Sequence, residues 1–281
     1  MRELRIVLTP FCNYKCFFCH SECLSDKVSL QLRPIDYGFM VKTVRDRLGW
    51  DTCTITGGEP LISPIFKEVS ERINTLGVKI TLITNGSLIA RPKEILKDIH
   101  QINVSIHTMA PTIYEHITQV GYPLDSVLNT LVNIRVGLPE LIIHLNYTVI
   151  KGLNDSVKEY EEILKFAKEL KARVKFIDLS TTNKILETKA EEIVAQLEGI
   201  GFKVVDENAW QFRLKRDSEY VIVARCPFNG RYENLPKRDV FVDPNGTLYR
   251  SYGGYFAVNA LNEIKAQDED GLIEKIKVLL N

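Results

Sequence analysis

Short apolar runs and amphipathic stretches alternate along the first two-thirds of the chain. The apolar runs have the length of buried strands, and the stretches between them repeat apolar residues at helical spacing. The predicted strands cover residues 4–8, 52–56, 78–83, 102–106, 141–150 and 174–179. The predicted helices cover residues 36–48, 63–76, 92–99, 124–136 and 157–170. This alternation favours parallel strands joined by right-handed crossovers, and six such units are enough for an α/β fold of the incomplete (β/α)6, TIM-like barrel type.

Beyond residue 180 the regular alternation stops. Helices are predicted over residues 190–197 and 270–280. The short strands predicted between them cover residues 202–205, 212–214, 220–224 and 240–242. The sequence Asp243-Pro-Asn-Gly246 is typical of a hairpin turn. We therefore expect a partial barrel over residues 1–180 and a small α+β extension over residues 181–281, which covers the barrel opening without folding independently.

Several motifs fall at or just after the predicted carboxyl ends of strands. They are the cysteine loop at 12–19, Gly57-Gly58-Glu59-Pro60, Thr84-Asn85-Gly86, Ser105 with His107, and Lys151-Gly152. In barrels of parallel strands the functional residues gather at this rim. If the strands are parallel, these motifs are expected to converge on one mouth.

The first of these motifs places Cys12, Cys16 and Cys19 at the spacing C-x3-C-x2-C. A loop this short cannot pair three thiols among themselves in disulfides, but it can present three thiolates to a metal cluster. A four-iron cluster with three cysteine ligands keeps one iron open, and an open position distinguishes catalytic metal sites from structural ones. A structural zinc site with His20 or Cys23 as a further ligand is the alternative, although zinc sites usually use cysteine pairs from two segments.

The cysteine loop followed by Thr56-Gly57-Gly58-Glu59-Pro60 resembles the radical S-adenosylmethionine (SAM) superfamily. Further matching segments come in the same order along the chain. They are Ile83-Thr84-Asn85-Gly86, Asn103-Val104-Ser105-Ile106-His107, residues 146–155, and Phe176-Ile177-Asp178. The likeness covers about the first two-thirds of the chain and is greatest for the GTP 3',8-cyclases (MoaA-like enzymes) of molybdenum-cofactor biosynthesis.

The resemblance implies one 4Fe–4S cluster on Cys12, Cys16 and Cys19, with S-adenosyl-L-methionine at its open iron. In this superfamily an electron from the cluster cleaves the cofactor to methionine and a 5'-deoxyadenosyl radical, which takes a hydrogen atom from the substrate. Glycines suit such a site because their backbone can approach a ligand closely. The resemblance also implies a small-molecule substrate and an electron donor such as flavodoxin or ferredoxin. The residues that it assigns to the cofactor are Phe18, Gly57, Gly58, Glu59, Pro60, Ser105 and Ser180.

Arg5, Thr84 and Lys151 match positions that bind substrate in the GTP 3',8-cyclases. An arginine that points inward from a barrel strand is costly unless it is paired with an anion. Arg5 is therefore a candidate ligand for a phosphate or carboxylate. A solvated loop charge is an equally good interpretation of Lys151. The arginine that the relatives carry just before the Gly-Gly motif is Thr54 in this chain.

The C-terminal cysteines that hold a second cluster in those enzymes are only partly matched. Cys226 matches the first, but Asn229 and Ser251 stand at the positions of the other two. Because serine and asparagine are poor ligands for iron, we expect one cluster, a feature that argues against GTP cyclisation. The expected function is hydrogen abstraction from a small anionic or nucleotide-like substrate. The alternatives are a GTP 3',8-cyclase with a remodelled C-terminus, a peptide-modifying radical SAM enzyme, and a non-enzymatic zinc- or cluster-binding interaction protein.

Composition narrows the class of protein further. Lys+Arg and Asp+Glu are equal at 36 each, so no overall field directs the chain to nucleic acid or to a membrane. No apolar stretch has the length of a membrane span, and the N-terminus lacks a signal-peptide core. Six cysteines, most of them clustered, fit a reducing compartment better than a disulfide framework. We expect a cytoplasmic protein without membrane or nucleic-acid partners.

Overall fold

The computed structural model describes residues 3–19, 30–226, 239–250 and 256–280. All six strands predicted in the first part of the chain are confirmed, and each boundary falls within one residue of its prediction. The strands are β1 (Leu4–Val7), β2 (Thr52–Thr56), β3 (Lys79–Thr84), β4 (Gln101–Ser105), β5 (Ile142–Val149) and β6 (Arg173–Asp178).

Helices connect these strands, and the five predicted ones are confirmed. Helix α4 is absent from the predicted set because its eight residues make only about two turns, too few for an apolar period to stand out. Its start is marked by Pro111, and it buries Tyr114 and Ile117. The helices are α1 (Pro34–Leu48), α2 (Phe66–Thr75), α3 (Pro92–Ile95), α4 (Pro111–Thr118), α5 (Leu124–Gly137) and α6 (Val157–Glu169).

The residues after 180 join both edges of the sheet that β1 to β6 form. Strand β9 pairs in parallel with β6, and β10 pairs in parallel with β1. The predicted hairpin at residues 243–246 is confirmed by the antiparallel pairing of β10 and β11. The strands are β7 (Lys203–Asn208), β8 (Gln211–Arg216), β9 (Glu219–Ala224), β10 (Val240–Val242), β11 (Thr247–Tyr249) and β12 (Ala257–Asn259). The helices are α7 (Ala190–Gly199), α8 (Leu261–Ala266) and α9 (Glu269–Leu280).

The order of the described strands is β12-β11-β10-β1-β2-β3-β4-β5-β6-β9-β8-β7. Strands β1 to β6 lie side by side in chain order and are parallel, which confirms the predicted α/β class. The expected six-strand count is corrected, because β10 and β9 extend the parallel region at its two edges. Among the described strands the sheet does not close, since β12 and β7 are its two ends.

One hydrophobic cluster unites the two predicted parts of the chain. It runs from Leu4 on β1 to Leu279 on α9, and it includes Leu214 on β8 and Ile264 on α8. The extension therefore shares its hydrophobic core with the first part, and the division of the chain at residue 180 stays a prediction. No helix in the described ranges combines the length and the apolar character needed to cross a membrane.

A buried carboxylate links helix α8 to helix α1. Asp36 is 1% exposed, and its carboxylate accepts hydrogen bonds from Lys265 Nζ (2.5 Å) and from the backbone N–H of Arg33 (2.7 Å). The Arg33 guanidinium lies 3.2 Å from the same carboxylate. Burial raises the pKa of Asp36, but the hydrogen bonds from Arg33 and Lys265 outweigh it, so the pKa lies below its ordinary value.

We expect Asp36→Asn to lower the free energy of unfolding by about 1 to 2 kcal/mol at pH 7, because it removes a buried, charged hydrogen-bond acceptor. A depressed pKa in the folded state gives stability that is present above the ordinary carboxyl pKa of about 4 and is lost as the pH falls through the folded value. Wild type should lose this contribution below about pH 4, whereas Asp36→Asn should not. Urea unfolding across this pH range measures both effects.

Asp46→Asn is the matched control for this prediction. Asp46 lies on the same helix but in a partly exposed position, where its ion pairs with Lys42 and Arg45 are open to solvent. Exposed ion pairs add little stability, so the control should unfold at nearly the wild-type urea concentration. Equal losses in the two variants would contradict the role assigned to Asp36.

Candidate functional site

A cavity of about 970 Å³ is lined by alternate residues of the parallel strands. On β4 these residues are Gln101, Asn103 and Ser105, whereas Ile102 and Val104 between them belong to the hydrophobic cluster. Successive side chains of a strand point to opposite faces of the sheet. One face of the sheet is therefore apolar and packed. The other face carries the polar side chains of these strands and borders open space, where polar groups can orient a ligand.

The predicted site residues divide into two groups around this cavity. Glu59, Pro60, Lys151 and Ser180 are not among the described residues that line it. The other motifs meet there, so convergence on one mouth holds for them but not for Lys151-Gly152. The predicted residues that line the cavity are Arg5, Cys12, Cys16, Phe18, Cys19, Gly57, Gly58, Thr84 and Ser105.

The cysteine loop that follows β1 brings its three thiols close to one another. Burial raises the pKa of Cys16 to about 12, and the neighbouring Cys19 and Cys12 add to the rise. Burial also raises the pKa of Cys12, although the backbone N–H of Tyr14, 3.3 Å from its Sγ, acts in the opposite direction. A metal that binds these thiols displaces their protons. With pKa values this high, the thiols ionise fully only beside a positively charged partner such as a metal.

The alternative of a structural zinc site stays a prediction. Within residues 3–19 and the other described ranges, no group of three or more His, Cys, Asp or Glu side chains is arranged to hold one ion. The further zinc ligands that the sequence offers, His20 and Cys23, lie outside the described residues.

The Gly-Gly motif packs its backbone against the cysteine loop. The N–H of Gly58 donates to the carbonyl of Thr9, and the N–H of Glu59 donates to the carbonyl of Phe11, both at 2.8 Å. A Cβ at Gly57 would lie 2.5 Å from the Thr9 oxygen, and a Cβ at Gly58 would meet the Phe11 oxygen even more closely. The two glycines permit the close approach of the cysteine loop, and because both also line the cavity, their predicted role in cofactor binding stays a prediction.

The Glu59 side chain is a buried link between the Gly-Gly turn and β3. It is fully buried, and its carboxylate accepts hydrogen bonds from Leu61 N–H (3.1 Å), Asn85 N–H (2.8 Å) and Thr84 Oγ1 (2.9 Å). Burial raises its pKa against the opposing effect of these donors. The Glu59 carboxylate therefore binds the protein itself, and its predicted role in cofactor binding stays a prediction.

Thr84 lines the cavity, but its hydroxyl is used within the protein. Oγ1 donates to Glu59 and accepts the N–H of Gly86 at 3.0 Å. Because both functions of the hydroxyl are satisfied, the structure does not support the predicted role of Thr84 as a substrate ligand. The next residue does approach the cysteine loop, since Asn85 Nδ2 lies 3.9 Å from Cys12 Sγ and 2.8 Å from Asn13 Oδ1.

Phe18 and His107 form a wall of the cavity beside the cysteine loop. Their rings pack edge to face with centroids 5.0 Å apart. His107 Nδ1 accepts the backbone N–H of Thr148 at 3.1 Å, which places the imidazole proton on Nε2. Burial lowers the pKa of His107 to about 4. His107 is therefore a neutral wall residue at pH 7, and Ser105 lies two positions before it on the same face of the sheet.

Arg5 lies between two carboxylates. Its Nη1 is 3.5 Å from Glu3 Oε1 and 3.9 Å from Asp239 Oδ2, and its guanidinium stands 5.0 Å from the Phe241 ring centroid. Thr54 supports the arrangement by donating to Glu3 Oε2 at 3.0 Å. These two carboxylates compete with any substrate anion for the guanidinium. The predicted use of Arg5 as an anion ligand is therefore not supported.

Lys151 is a surface residue. Its side chain is 54% exposed, and Nζ lies 3.7 Å from Glu192 Oε2. The exit loop of β5 turns away from the cavity because Asn154 folds back on it, with Oδ1 accepting Ile150 N–H and Nδ2 donating to the His107 carbonyl, both at 2.6 Å. This geometry corrects the predicted substrate role of Lys151.

Ser180 and Cys226 complete the residues that the sequence singles out. Ser180 is 1% exposed and is not among the described residues that line the cavity, so its predicted contact with the cofactor stays a prediction. Cys226 lines the cavity, and its backbone N–H donates to Asp178 at 2.5 Å. Asn229 and Ser251 lie outside the described residues. The absence of a second cluster, which rests on these two residues, therefore stays a prediction.

Several polar residues of the cavity are given no role by the motif analysis, although Asn103 and Asn146 stand in matching segments. They come from the inner halves of β4, β5 and β6 and occupy every second position of strands whose other residues are apolar. That alternation is the sequence signal that finds them. Asn146 is notable because it is 7% exposed and its Oδ1 has no hydrogen-bond partner in the described part of the chain. The residues are Gln101, Asn103, His144, Asn146, Arg173 and Lys175.

Comparison with known proteins decides the family. Residues 6–167 match the radical SAM superfamily. The chain belongs to the radical SAM superfamily. It is 34% identical to a probable GTP 3',8-cyclase of Thermococcus kodakarensis. The 196 aligned residues cover 66% of this chain and 59% of the relative. A probable GTP 3',8-cyclase of Methanocaldococcus jannaschii is 30% identical over 222 residues, covering 76% and 72% of the two chains.

Solved structures of radical SAM enzymes share the fold. SuiB of Streptococcus suis bound to S-adenosylmethionine has a TM-score of 0.72 at 16% identity, covering 99% of this chain and 66% of that one. The enzyme anSMEcpe with bound AdoMet has a TM-score of 0.59 at 16% identity, covering 99% and 84%. At such identities the likeness shows the fold alone. The chain spans about three-fifths of the length of the Thermococcus relative.

We expect Gly58→Ala to reduce iron loading of this radical SAM protein by more than half. The added methyl group collides with the Phe11 carbonyl and displaces the loop that carries Cys12. Overpacking of this kind costs about 1 to 3 kcal/mol, so the thermal unfolding midpoint should fall as well. Iron per chain after anaerobic reconstitution and thermal unfolding are the measurements.

Gly121→Ala is the matched control, because no atom lies within 4 Å of a Cβ built at Gly121. It should load iron and unfold like wild type. Wild-type iron content and stability in Gly58→Ala would show that the glycine contact does not position the cysteine loop.

Proposed function

We propose that the chain is a radical SAM enzyme that abstracts a hydrogen atom from a small substrate held in the cavity. The observation that carries the proposal is that the three thiols of the C-x3-C-x2-C loop line one cavity in a chain of this superfamily. In this proposal Cys12, Cys16 and Cys19 hold one 4Fe–4S cluster. When bound, the cluster and S-adenosyl-L-methionine supply the radical that removes hydrogen from the substrate.

The residues present fit the SAM cofactor. Asn146 Oδ1 is buried and has no partner within the described residues, and a buried acceptor without a donor is costly. An ammonium or hydroxyl group of the cofactor would satisfy it. Ser105 pairs with Asn146 in the sheet register and brings a hydroxyl to the same row of the cavity. The partly exposed Gly57 and Gly58 and the ring of Phe18 also line this cavity.

We propose further that β1 to β6 curve as an incomplete barrel around the cavity. All six strands contribute residues to its lining. Residues 181–281 cover the opening in this proposal, which is supported by Trp210, Arg213 and Cys226 in the lining. The electron donor, of the flavodoxin or ferredoxin type, and the cytoplasmic location stay predictions.

GTP 3',8-cyclisation is supported by the names of the relatives but not by two of the residues that match GTP-binding positions. Arg5, at one of these positions, lies beside Glu3 and Asp239. Lys151, at another, lies on the surface beside Glu192. GTP 3',8-cyclisation is therefore the second candidate function.

We expect Cys16→Ala to abolish both iron loading and the release of 5'-deoxyadenosine after reduction in the presence of S-adenosylmethionine. Wild type should bind about four irons per chain, the content of one cluster, because three thiolates are its protein ligands. Iron analysis and chromatography of the nucleoside product measure the two effects. An iron-replete and active Cys16→Ala protein would refute the ligand assignment, and about eight irons in wild type would refute the single cluster.

Cys53→Ala is the matched control for the loss of a thiol. Cys53 is 1% exposed on β2 and packs in the hydrophobic cluster away from the cavity. Its replacement should leave iron content and nucleoside release unchanged. Loss of iron from both variants would show that the effect follows from misfolding rather than from ligand removal.

A further inference from the structure

Asn85, in the motif that follows β3, has a buried side chain next to the first cysteine of the loop. It is 9% exposed and lines the cavity together with Cys12. Its backbone N–H donates to the Glu59 carboxylate at 2.8 Å, so the main chain at Asn85 is fixed to the Gly-Gly turn. A buried amide is costly unless its polar atoms have partners. The partners of the Asn85 side chain therefore indicate what it does.

Three side chains form a closed ring of hydrogen bonds beside the cysteine loop. Asn85 Nδ2 donates to Asn13 Oδ1 at 2.8 Å, and Asn13 Nδ2 donates to Ser87 Oγ at 2.8 Å. Ser87 Oγ closes the ring by donating to Asn85 Oδ1 at 2.6 Å. Each member both donates and accepts, so the bonds reinforce one another. Because Asn13 directly follows Cys12, the ring joins the loop after β3 to the cysteine loop.

The backbone of Ser87 decides which way the Asn85 amide faces. The Ser87 N–H lies 2.9 Å from Asn85 Oδ1. An N–H requires an acceptor, so the atom that faces it is the amide oxygen and the amide nitrogen faces the cysteine loop. That nitrogen carries two hydrogens, of which Asn13 accepts one. Cys12 Sγ, 3.9 Å from Nδ2, is the only other acceptor that the described residues offer it.

The contact with Cys12 gains strength when this cysteine is a metal ligand. A thiol sulfur is a weak acceptor, whereas a thiolate carries negative charge and accepts charge-assisted hydrogen bonds. Hydrogen bonds to the cysteine sulfurs help to set the reduction potential of an iron–sulfur cluster. Because reduction adds one negative charge, an N–H group directed at a ligand sulfur stabilises the reduced form more than the oxidised form.

We propose that the Asn85 side chain raises the reduction potential of the cluster by donating Nδ2–H to the Cys12 thiolate. A weaker one-electron reductant can then supply the electron. Asn85 acts through Cys12 and is a positioning residue, while Asn13 and Ser87 hold its amide in the donating orientation. The inference rests on the proposed function, since it concerns the cluster on Cys12. The step is the uptake of one electron and breaks no covalent bond.

The reduction potential of the full, anaerobically reconstituted chain tests the proposal. Electron paramagnetic resonance measures the reduced cluster at a series of potentials set by an electrode and dye mediators. Asn85→Leu replaces the amide by an apolar group of similar size, which keeps water away from the sulfur. It should lower the ratio of reduced to oxidised cluster at a fixed potential about threefold or more, which is about 28 mV for a one-electron couple. A merely structural role would reduce the amount of cluster but leave its potential unchanged.

Asn85→Ser is the second variant, because it keeps the local turn. A serine hydroxyl can also accept the N–H two residues further on, but it lacks the amide nitrogen that faces Cys12. Its potential should shift in the same direction, which keeps the test decisive if Asn85→Leu does not load iron. Asn74→Ser is the matched control, since Asn74 is exposed on α2 and donates to Asp98 away from the cavity. It should keep the wild-type potential.

The proposal is overturned if Asn85→Leu and Asn85→Ser both have the wild-type potential. It is also overturned if Asn74→Ser shifts as far as they do, because the shift would then not depend on the donor to Cys12. Failure of the proposed function has a different signature. Wild type without a cluster would refute the proposed function and the inference with it, whereas equal potentials in proteins with about four irons per chain would refute the inference alone.

Discussion

The backbone contact between the cysteine loop and the Gly-Gly turn is the constraint on which the site depends. Two main-chain hydrogen bonds of 2.8 Å hold Thr9 and Phe11 to Gly58 and Glu59, at a separation that leaves no room for a Cβ. The Glu59 carboxylate then ties this turn to β3 through Thr84 and the backbone of Asn85. The positions of the three thiols are thus set by strands β1, β2 and β3 together, rather than by the loop alone.

This constraint changes the meaning of the Gly-Gly-Glu-Pro motif in this chain. A sequence motif next to a cofactor invites the interpretation that each of its side chains touches the cofactor. Here the Glu59 side chain is enclosed and satisfied by protein donors, and a buried carboxylate would be unstable without them. The motif acts on the cysteine loop through the scaffold, while only the glycine backbone reaches the cavity.

The sequence predicts the local features of the fold well and the long-range ones poorly. The six strands carry their own apolar pattern, so their boundaries fall within one residue of the prediction. The pairing of β10 with β1 and of β9 with β6 joins segments far apart in the chain, and no local pattern encodes that. Long-range partners also explain why the predicted roles of two site residues fail. Arg5 is paired with Asp239, and Asn154 sets the direction of the loop that carries Lys151. Motif spacing gives the identity of the thiols but not these partners.

The polar side chains on the inner face of β4, β5 and β6 are not explained by the stability of the fold. A barrel of this kind usually fills its interior with branched apolar residues, and polar side chains there leave groups such as His144 Nε2 and Asn146 Oδ1 unsatisfied. Unsatisfied buried groups lower stability and are characteristic of functional sites, where a ligand supplies the missing partner. Asn146 lies beside Ser105 in the sheet register. Because polar residues on this inner face are kept at a cost in stability, they support the proposal that the cavity holds a ligand.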